Sequence, residues 1–114
     1  MRKPLVVGNW KMHGNAEGIR SLMTQLIQAE AAFPGAEVGV CPPFVFLPLV
    51  AELCAGSSIR VGAQNVSQHD SGAFTGEVSA AMLAELGAAY VLVDNSGHPE
   101  QLSHGASQLM SMFN

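Results

Sequence analysis

The stretch Leu5-Val6-Val7-Gly8-Asn9-Trp10-Lys11 contains the pattern that recurs along this chain, a strand-forming apolar run followed directly by polar residues. Consecutive aliphatic residues without polar alternation are typical of a strand buried on both faces, as in a parallel sheet. Further strand-forming runs lie at 37–41, 58–63 and 90–93, and helical patterns separate them. We therefore expect an α/β fold with a parallel sheet and right-handed crossovers.

The spacing of apolar residues predicts four helices, at 16–32, 45–53, 80–86 and 101–113. Asn15 is a suitable N-cap for the first helix, and either Ser79 or Thr75 for the third. Gly87 suits the left-handed position that ends the third helix. Strand and helix thus alternate four times, which predicts four βα units in one domain over 1–114.

Composition and charge narrow the class of protein. The chain has 114 residues, of which 48% are hydrophobic and 12% charged, and its formal net charge is −4. All five basic residues lie in the first 60 positions, so the clustered cations of a nucleic-acid binder are missing. No apolar run approaches the ~20 residues of a membrane span, and the N-terminus has no signal-peptide pattern. We expect a cytoplasmic protein, part of whose weakly charged surface is covered by a partner.

The cysteines and histidines give no sign of a metal site. Cys41 and Cys54 are 13 positions apart, which favours two buried thiols rather than ligands. The four histidines have no metal-ligand spacing, and no glycine-rich nucleotide fingerprint follows the first strand. We therefore expect neither a metal nor a cofactor.

Polar residues at the strand ends are the candidate binding residues, because ligands of parallel α/β sheets bind beyond the carboxyl ends of the strands. Lys11 there can neutralise a phosphate or carboxylate, and Asn9 can add a hydrogen bond. A single lysine after a strand also fits a solvated surface residue. The 64–76 loop is unusually long, which indicates a functional or interface segment, and Phe74 and Thr75 at its tip favour association.

Four motifs at the strand ends occur in a distinctive order and spacing. They are Val7-Gly8-Asn9-Trp10-Lys11-Met12, Cys41-Pro42-Pro43, Val61-Gly62-Ala63-Gln64-Asn65 and Ser71-Gly72-Ala73-Phe74-Thr75-Gly76-Glu77. Together with 79–83 and 90–93 they resemble the N-terminal half of triosephosphate isomerase, and the resemblance is close over residues 1–93.

This resemblance implies a fold and an activity. The fold would be the (βα)4 half of a TIM barrel, and the family interconverts dihydroxyacetone phosphate and glyceraldehyde 3-phosphate in glycolysis. Asn9 and Lys11 match the family's substrate-binding asparagine and lysine, so a small phosphorylated substrate, phosphate or sulfate is the expected ligand. The loop segment Phe74-Thr75-Gly76-Glu77 matches the one that inserts into the partner subunit of the family dimer.

The sequence departs from the family in two respects. A complete barrel takes about 250 residues, and the half with the family's catalytic glutamate, lid and most phosphate-binding backbone has no counterpart in these 114 residues. After the fourth strand, an ungapped alignment puts Asn95 where the family has its electrophilic histidine. A three-residue insertion instead aligns His98 with that histidine and Glu100 with the neighbouring acid. In both alignments the family's arginine pair is missing.

Three interpretations follow from these departures. The first is a truncated, catalytically impaired half-barrel that self-associates, because an open half-barrel has two unpaired edges and an uncovered apolar face. Two copies could then close a pseudo-eight-stranded barrel as a C2 dimer. The second is an active isomerase in which Lys11, His98 and Glu100, or a partner-chain acid, carry the chemistry. The third is a purely structural or engineered fragment.

Overall fold

Four parallel strands form one sheet in the computed structural model, which describes residues 4–32 and 35–92. The strands are β1 (Leu5–Asn9), β2 (Glu37–Cys41), β3 (Arg60–Ala63) and β4 (Tyr90–Val91), and they pair in chain order. This arrangement is the (βα)4 half of a barrel, which confirms the predicted fold class. The third strand begins two residues later than predicted.

The helices lie between these strands. They are α1 (Ala16–Glu30), α2 (Leu47–Cys54) and α3 (Ala80–Glu85), and one 3₁₀ turn, Phe44–Phe46, precedes α2. The prediction started the second helix at 45, but Pro48 lies in its first turn and α2 begins at Leu47. The helix predicted over 101–113 lies outside the described residues.

Side-chain caps and one glycine fix the helix ends. The N–H of Gly18 donates to Asn15 Oδ1 at 2.8 Å, as the sequence predicted. Of the two candidates for α3, Ser79 is the cap, because its Oγ accepts the Met82 N–H at 3.2 Å. Gly87 adopts the predicted left-handed conformation at φ 83°.

The core lies between the helices and one face of the sheet. Since side chains alternate along a strand, Val38 and Val40 of β2 share this face with Val61 and Ala63 of β3. The helices cover it with fully buried side chains, which are Ile19, Met23, Leu47, Val50 and Leu83. Burial of these apolar side chains is the main stabilising contribution to the folded chain.

The sequence prediction that the first strand is buried on both faces is wrong. Leu5 is 50% and Val6 is 57% exposed. The physical reason is position: β1 is an edge strand that pairs with β2 alone among the described strands. A run of apolar residues shows that a strand can be buried, but not that it is. In this chain the apolar side chains of Leu5 and Val6 on β1 face solvent.

The face of the sheet opposite the helices carries a contact between Tyr90 and two glycines. A Cβ at Gly39 would lie 2.7 Å from Tyr90 Cε2, and one at Gly62 would lie 3.0 Å from Tyr90 Cβ. The Tyr90 hydroxyl donates to Glu37 Oε1 at 2.9 Å, and the Arg60 Nε lies 3.0 Å from the same oxygen. Glycine is thus required at positions 39 and 62 so that the tyrosine ring can lie across β3 and β2 on this face of the sheet.

Burial changes the acidity of two groups on this face. Burial, followed by the hydrogen bond to Glu37, raises the pKa of Tyr90 to about 12. Burial also raises the pKa of the Cys41 thiol to about 11, although a hydrogen bond to the Gly62 backbone partly offsets it. The prediction that Cys41 and Cys54 are buried free thiols is confirmed.

Replacing Leu83 by alanine should destabilise the fold by about 2–5 kcal/mol, because the side chain is fully buried and its removal leaves a cavity. Met82→Ala in the same helix is the matched control. Met82 is half exposed, so this substitution should change the free energy of unfolding of the protein by no more than about 0.5 kcal/mol. Urea denaturation monitored by the fluorescence of the single tryptophan, Trp10, measures both values. Equal losses in the two variants would contradict this assignment of the core.

Alkaline pH should lower the free energy of unfolding between about pH 9 and 12. Cys41 and Tyr90 have ordinary pKa values of 9.0 and 10.0, and folding raises both. Above the ordinary value, the folded state holds protons that the unfolded state has lost, so stability falls as pH rises. In Tyr90→Phe the decline should be shallower above about pH 11, because the Tyr90 contribution is missing. Urea denaturation at intervals from pH 8 to 12 compares the two proteins, and identical slopes above pH 11 would contradict the role of Tyr90.

Candidate anion site at the strand ends

The candidate site is formed by the turn that follows β1. Asn9 is the last residue of β1, and the Trp10 N–H donates to the Cys41 carbonyl at 3.1 Å, which continues the pairing with β2 past the strand end. Lys11 then adopts φ 54°, and it is the only non-glycine residue with positive φ in the described part of the chain. A lysine in this region is strained by about 1–3 kcal/mol, and such strain is commonly found at functional sites.

Hydrogen bonds hold the Lys11 backbone from both sides. Its N–H donates to Asn9 Oδ1 at 2.9 Å. Its carbonyl accepts from Gln64 Nε2 at 2.8 Å, and the same nitrogen donates to the Cys41 carbonyl at 2.8 Å. The turn closes with a 3.2 Å bond from the His13 N–H to the Trp10 carbonyl. The Lys11 backbone is therefore fixed although the residue lies at the surface.

The chemistry of this turn suits an anion. Lys11 is exposed, and among the described residues the single ion pair is that of Arg60 with Glu37. Because Asn9 Oδ1 accepts the Lys11 N–H, its Nδ2 is the end of the amide left to donate to a ligand. One cation and one amide donor at the carboxyl end of a parallel strand can bind a phosphate or carboxylate group.

The predicted interface loop is an ordered segment without helix or strand between Gln64 and Ser79. The Ser67 N–H donates to the Val78 carbonyl at 2.8 Å, which joins the two arms of the loop. The His69 ring stacks on the Phe74 ring at 3.8 Å between centroids. The four residues at the tip, Phe74, Thr75, Gly76 and Glu77, are all exposed.

Exposed apolar side chains and a cavity accompany this loop. A cavity of about 520 Å³ is lined on its apolar side by Phe44, Val66, Phe74 and Val78, and by polar residues that include Ser67, His69 and Glu77. In the neighbouring strand-end turns, Met12 is 93% and Val45 is 77% exposed. Three successive βα turns thus present apolar side chains to solvent at the same edge of the sheet.

The other predicted site residues lie outside the described residues. These are His98 and Glu100, and Asn95 of the alternative alignment. Of the predicted site residues, the structure brings together Asn9 and Lys11. Sequence reasoning assigned no role to Gln64. The signal that could have identified it is its position, because a polar amide directly after β3 lies at the strand-end edge of the sheet, next to the end of β2.

Residues 4–32 and 35–92 contain no group of three or more His, Cys, Asp or Glu side chains that could hold a metal ion. Within the same residues no helix is long and apolar enough to span a membrane.

Parallel βα units in chain order define one half of an α/β barrel. The family model for triosephosphate isomerase matches residues 4–111. This chain belongs to the triosephosphate isomerase family. The resemblance drawn from the strand-end motifs is thereby confirmed, and the match extends beyond residue 93.

Individual relatives are similar over part of their length. The triosephosphate isomerase of Methylococcus capsulatus is 48% identical over 108 residues, which are 94% of this chain and 42% of the relative. Those of Dechloromonas aromatica and Nitrosococcus oceani are 52% and 50% identical over 101 residues, or 89% of this chain and 39% of each relative. The chain thus spans about two fifths of the length of these relatives.

Proposed function

We propose that this chain carries the substrate-binding part of a triosephosphate isomerase site and binds a small phosphorylated substrate, or a phosphate or sulfate anion, at Asn9 and Lys11. The observation that supports this most directly is the strained Lys11 backbone, held from both sides at the carboxyl end of β1. A surface lysine with only a solvation role has no need of a fixed, strained backbone.

We further propose that the 114-residue chain on its own is a weak or inactive isomerase. Abstracting a proton next to a carbonyl requires a positioned base as well as an electrophile. Lys11 supplies a cation, and no residue of this chain matches the family's catalytic glutamate. His98 with Glu100, or an acid from a partner chain, would have to replace that base for turnover to occur. The cytoplasmic location expected from the sequence stays a prediction.

Self-association is the third part of the proposal, with a homodimer as the favoured state. Two surfaces support it. One is the loop tip from Phe74 to Glu77 with the exposed Met12 and Val45 beside it. The other is the β1 edge, where Leu5 and Val6 are half exposed and the backbone faces no partner strand among the described residues. Pairing of β1 with the fourth strand of a second copy would close a pseudo-barrel.

Lys11→Ala should weaken the binding of inorganic phosphate by about tenfold or more, because a charge-assisted hydrogen bond to the anion is lost. Arg20→Ala is the matched control, since it removes one exposed positive charge from α1 and should leave the affinity unchanged. Titration calorimetry or NMR titration at fixed ionic strength measures the dissociation constants. Equal affinities in wild type and Lys11→Ala would refute the site.

A coupled isomerase assay on the same three proteins tests the catalytic part. We expect turnover indistinguishable from the assay blank in all three. Turnover by the wild type that disappears in Lys11→Ala would overturn the proposal of impaired catalysis and favour an active isomerase with a substitute base. Turnover that persists in Lys11→Ala would identify a contaminating host enzyme.

Thr75→Arg should shift the protein towards monomer if the loop tip lies in a subunit interface, because a desolvated arginine there is unfavourable. Thr24→Arg on the exposed face of α1 is the control and should leave the association constant unchanged. Light scattering at micromolar concentration measures the mass. Val6→Lys tests the β1 edge instead of the loop tip. If this variant dissociates and Thr75→Arg does not, pairing at the β1 edge is favoured. A monomeric wild type would contradict both modes.

A further inference from the structure

We infer that Gln64 is a positioning residue for the anion site: its side-chain amide holds Lys11 in the left-handed conformation from which the lysine reaches the anion. The inference rests on the proposed binding function of Lys11. It adds a residue from a different βα turn, so that the site depends on three strand ends rather than on one.

The bonds of Gln64 determine how its amide is oriented. Nε2 lies 2.8 Å from the Lys11 carbonyl and 2.8 Å from the Cys41 carbonyl. Both partners are backbone oxygens, which only accept, so the two N–H groups must face them and Oε1 must point away. One side chain directly after β3 thus links the turn after β1 to the last residue of β2.

The need for such a link follows from the backbone of Lys11. At φ 54° the residue carries a Cβ in a region that only glycine adopts without strain. Its N–H is anchored by Asn9 Oδ1, two residues earlier at the end of β1. Gln64 anchors the carbonyl from outside the turn. Without that anchor, rotation of φ towards negative values relieves the strain and redirects the Cα–Cβ bond, and with it the ammonium group.

The conformation of Lys11 also determines how tightly the ligand binds. A positioned cation binds an anion more tightly than a mobile one, because less conformational freedom is lost when the ligand arrives. Loss of the Gln64 bonds should therefore lower anion affinity through Lys11. It should have no such effect when the lysine side chain is already missing.

Two variants test this. Gln64→Met removes both donors while keeping a similar side-chain length, and Gln64→Glu places carboxylate oxygens against the two carbonyls. Gln68→Glu makes the same charge change elsewhere in the loop and is the control. With inorganic phosphate as the probe, we expect affinity at least about threefold weaker in both Gln64 variants and unchanged within twofold in Gln68→Glu. Gln64→Met in a Lys11→Ala background should cause no further loss.

A conformational readout separates positioning from a general loss of structure. The three-bond HN–Hα coupling and the Cα chemical shift of Lys11, measured by NMR, report its φ in each variant. We expect the left-handed values in wild type and Gln68→Glu, and a shift away from them in Gln64→Met. Should Gln64→Glu fail to fold, the uncharged Gln64→Met variant still decides the question.

The outcomes separate a failure of the positioning role of Gln64 from a failure of the binding function of Lys11. If Lys11→Ala weakens phosphate binding but Gln64→Met leaves both the affinity and the Lys11 conformation unchanged, the positioning role is refuted and the binding function stands. If Gln64→Met weakens binding equally in the Lys11→Ala background, its effect does not pass through Lys11, which also refutes the inference. If Lys11→Ala leaves the affinity unchanged, the proposed function fails and the inference falls with it.

Discussion

The parallel pairing of the four strands is the constraint on which the rest of this structure depends. In a parallel ladder all carboxyl ends meet at one edge of the sheet, so Asn9, Cys41 and Ala63 end their strands side by side. For that reason one amide after β3 can reach both a carbonyl in the turn after β1 and the carbonyl of the last residue of β2. A shift in the register between β1 and β2 would separate Lys11 from Gln64.

The two faces of the sheet are packed by different kinds of side chain. The face towards the helices carries aliphatic side chains, which pack against α1, α2 and α3. Within 4–32 and 35–92 no helix covers the opposite face, and there Tyr90 crosses the space left by Gly39 and Gly62 to reach Glu37. The glycines on β2 and β3 thus leave the room that the tyrosine ring on β4 occupies.

Most of the fold, but less of the site, could be predicted from the sequence. Strand positions, helix spacing and the Asn15 cap follow from local patterns, because each depends on residues close in the chain. Burial of β1 was mispredicted, since a run of aliphatic residues does not reveal whether a neighbouring strand or helix is present to cover it. The role of Gln64 could not be read locally either, because its partner Lys11 is 53 positions away.

The proposed binding and the proposed loss of turnover have separate physical grounds. Asn9, Cys41 and Gln64 hold the Lys11 turn by hydrogen bonds, and the bond from the His13 N–H to the Trp10 carbonyl closes it. All these residues belong to the described βα units, so the conformation of Lys11 is set within them. Proton abstraction needs a positioned base besides the cation. Anion affinity is therefore expected of these βα units alone, whereas turnover is expected to depend on a base supplied from elsewhere.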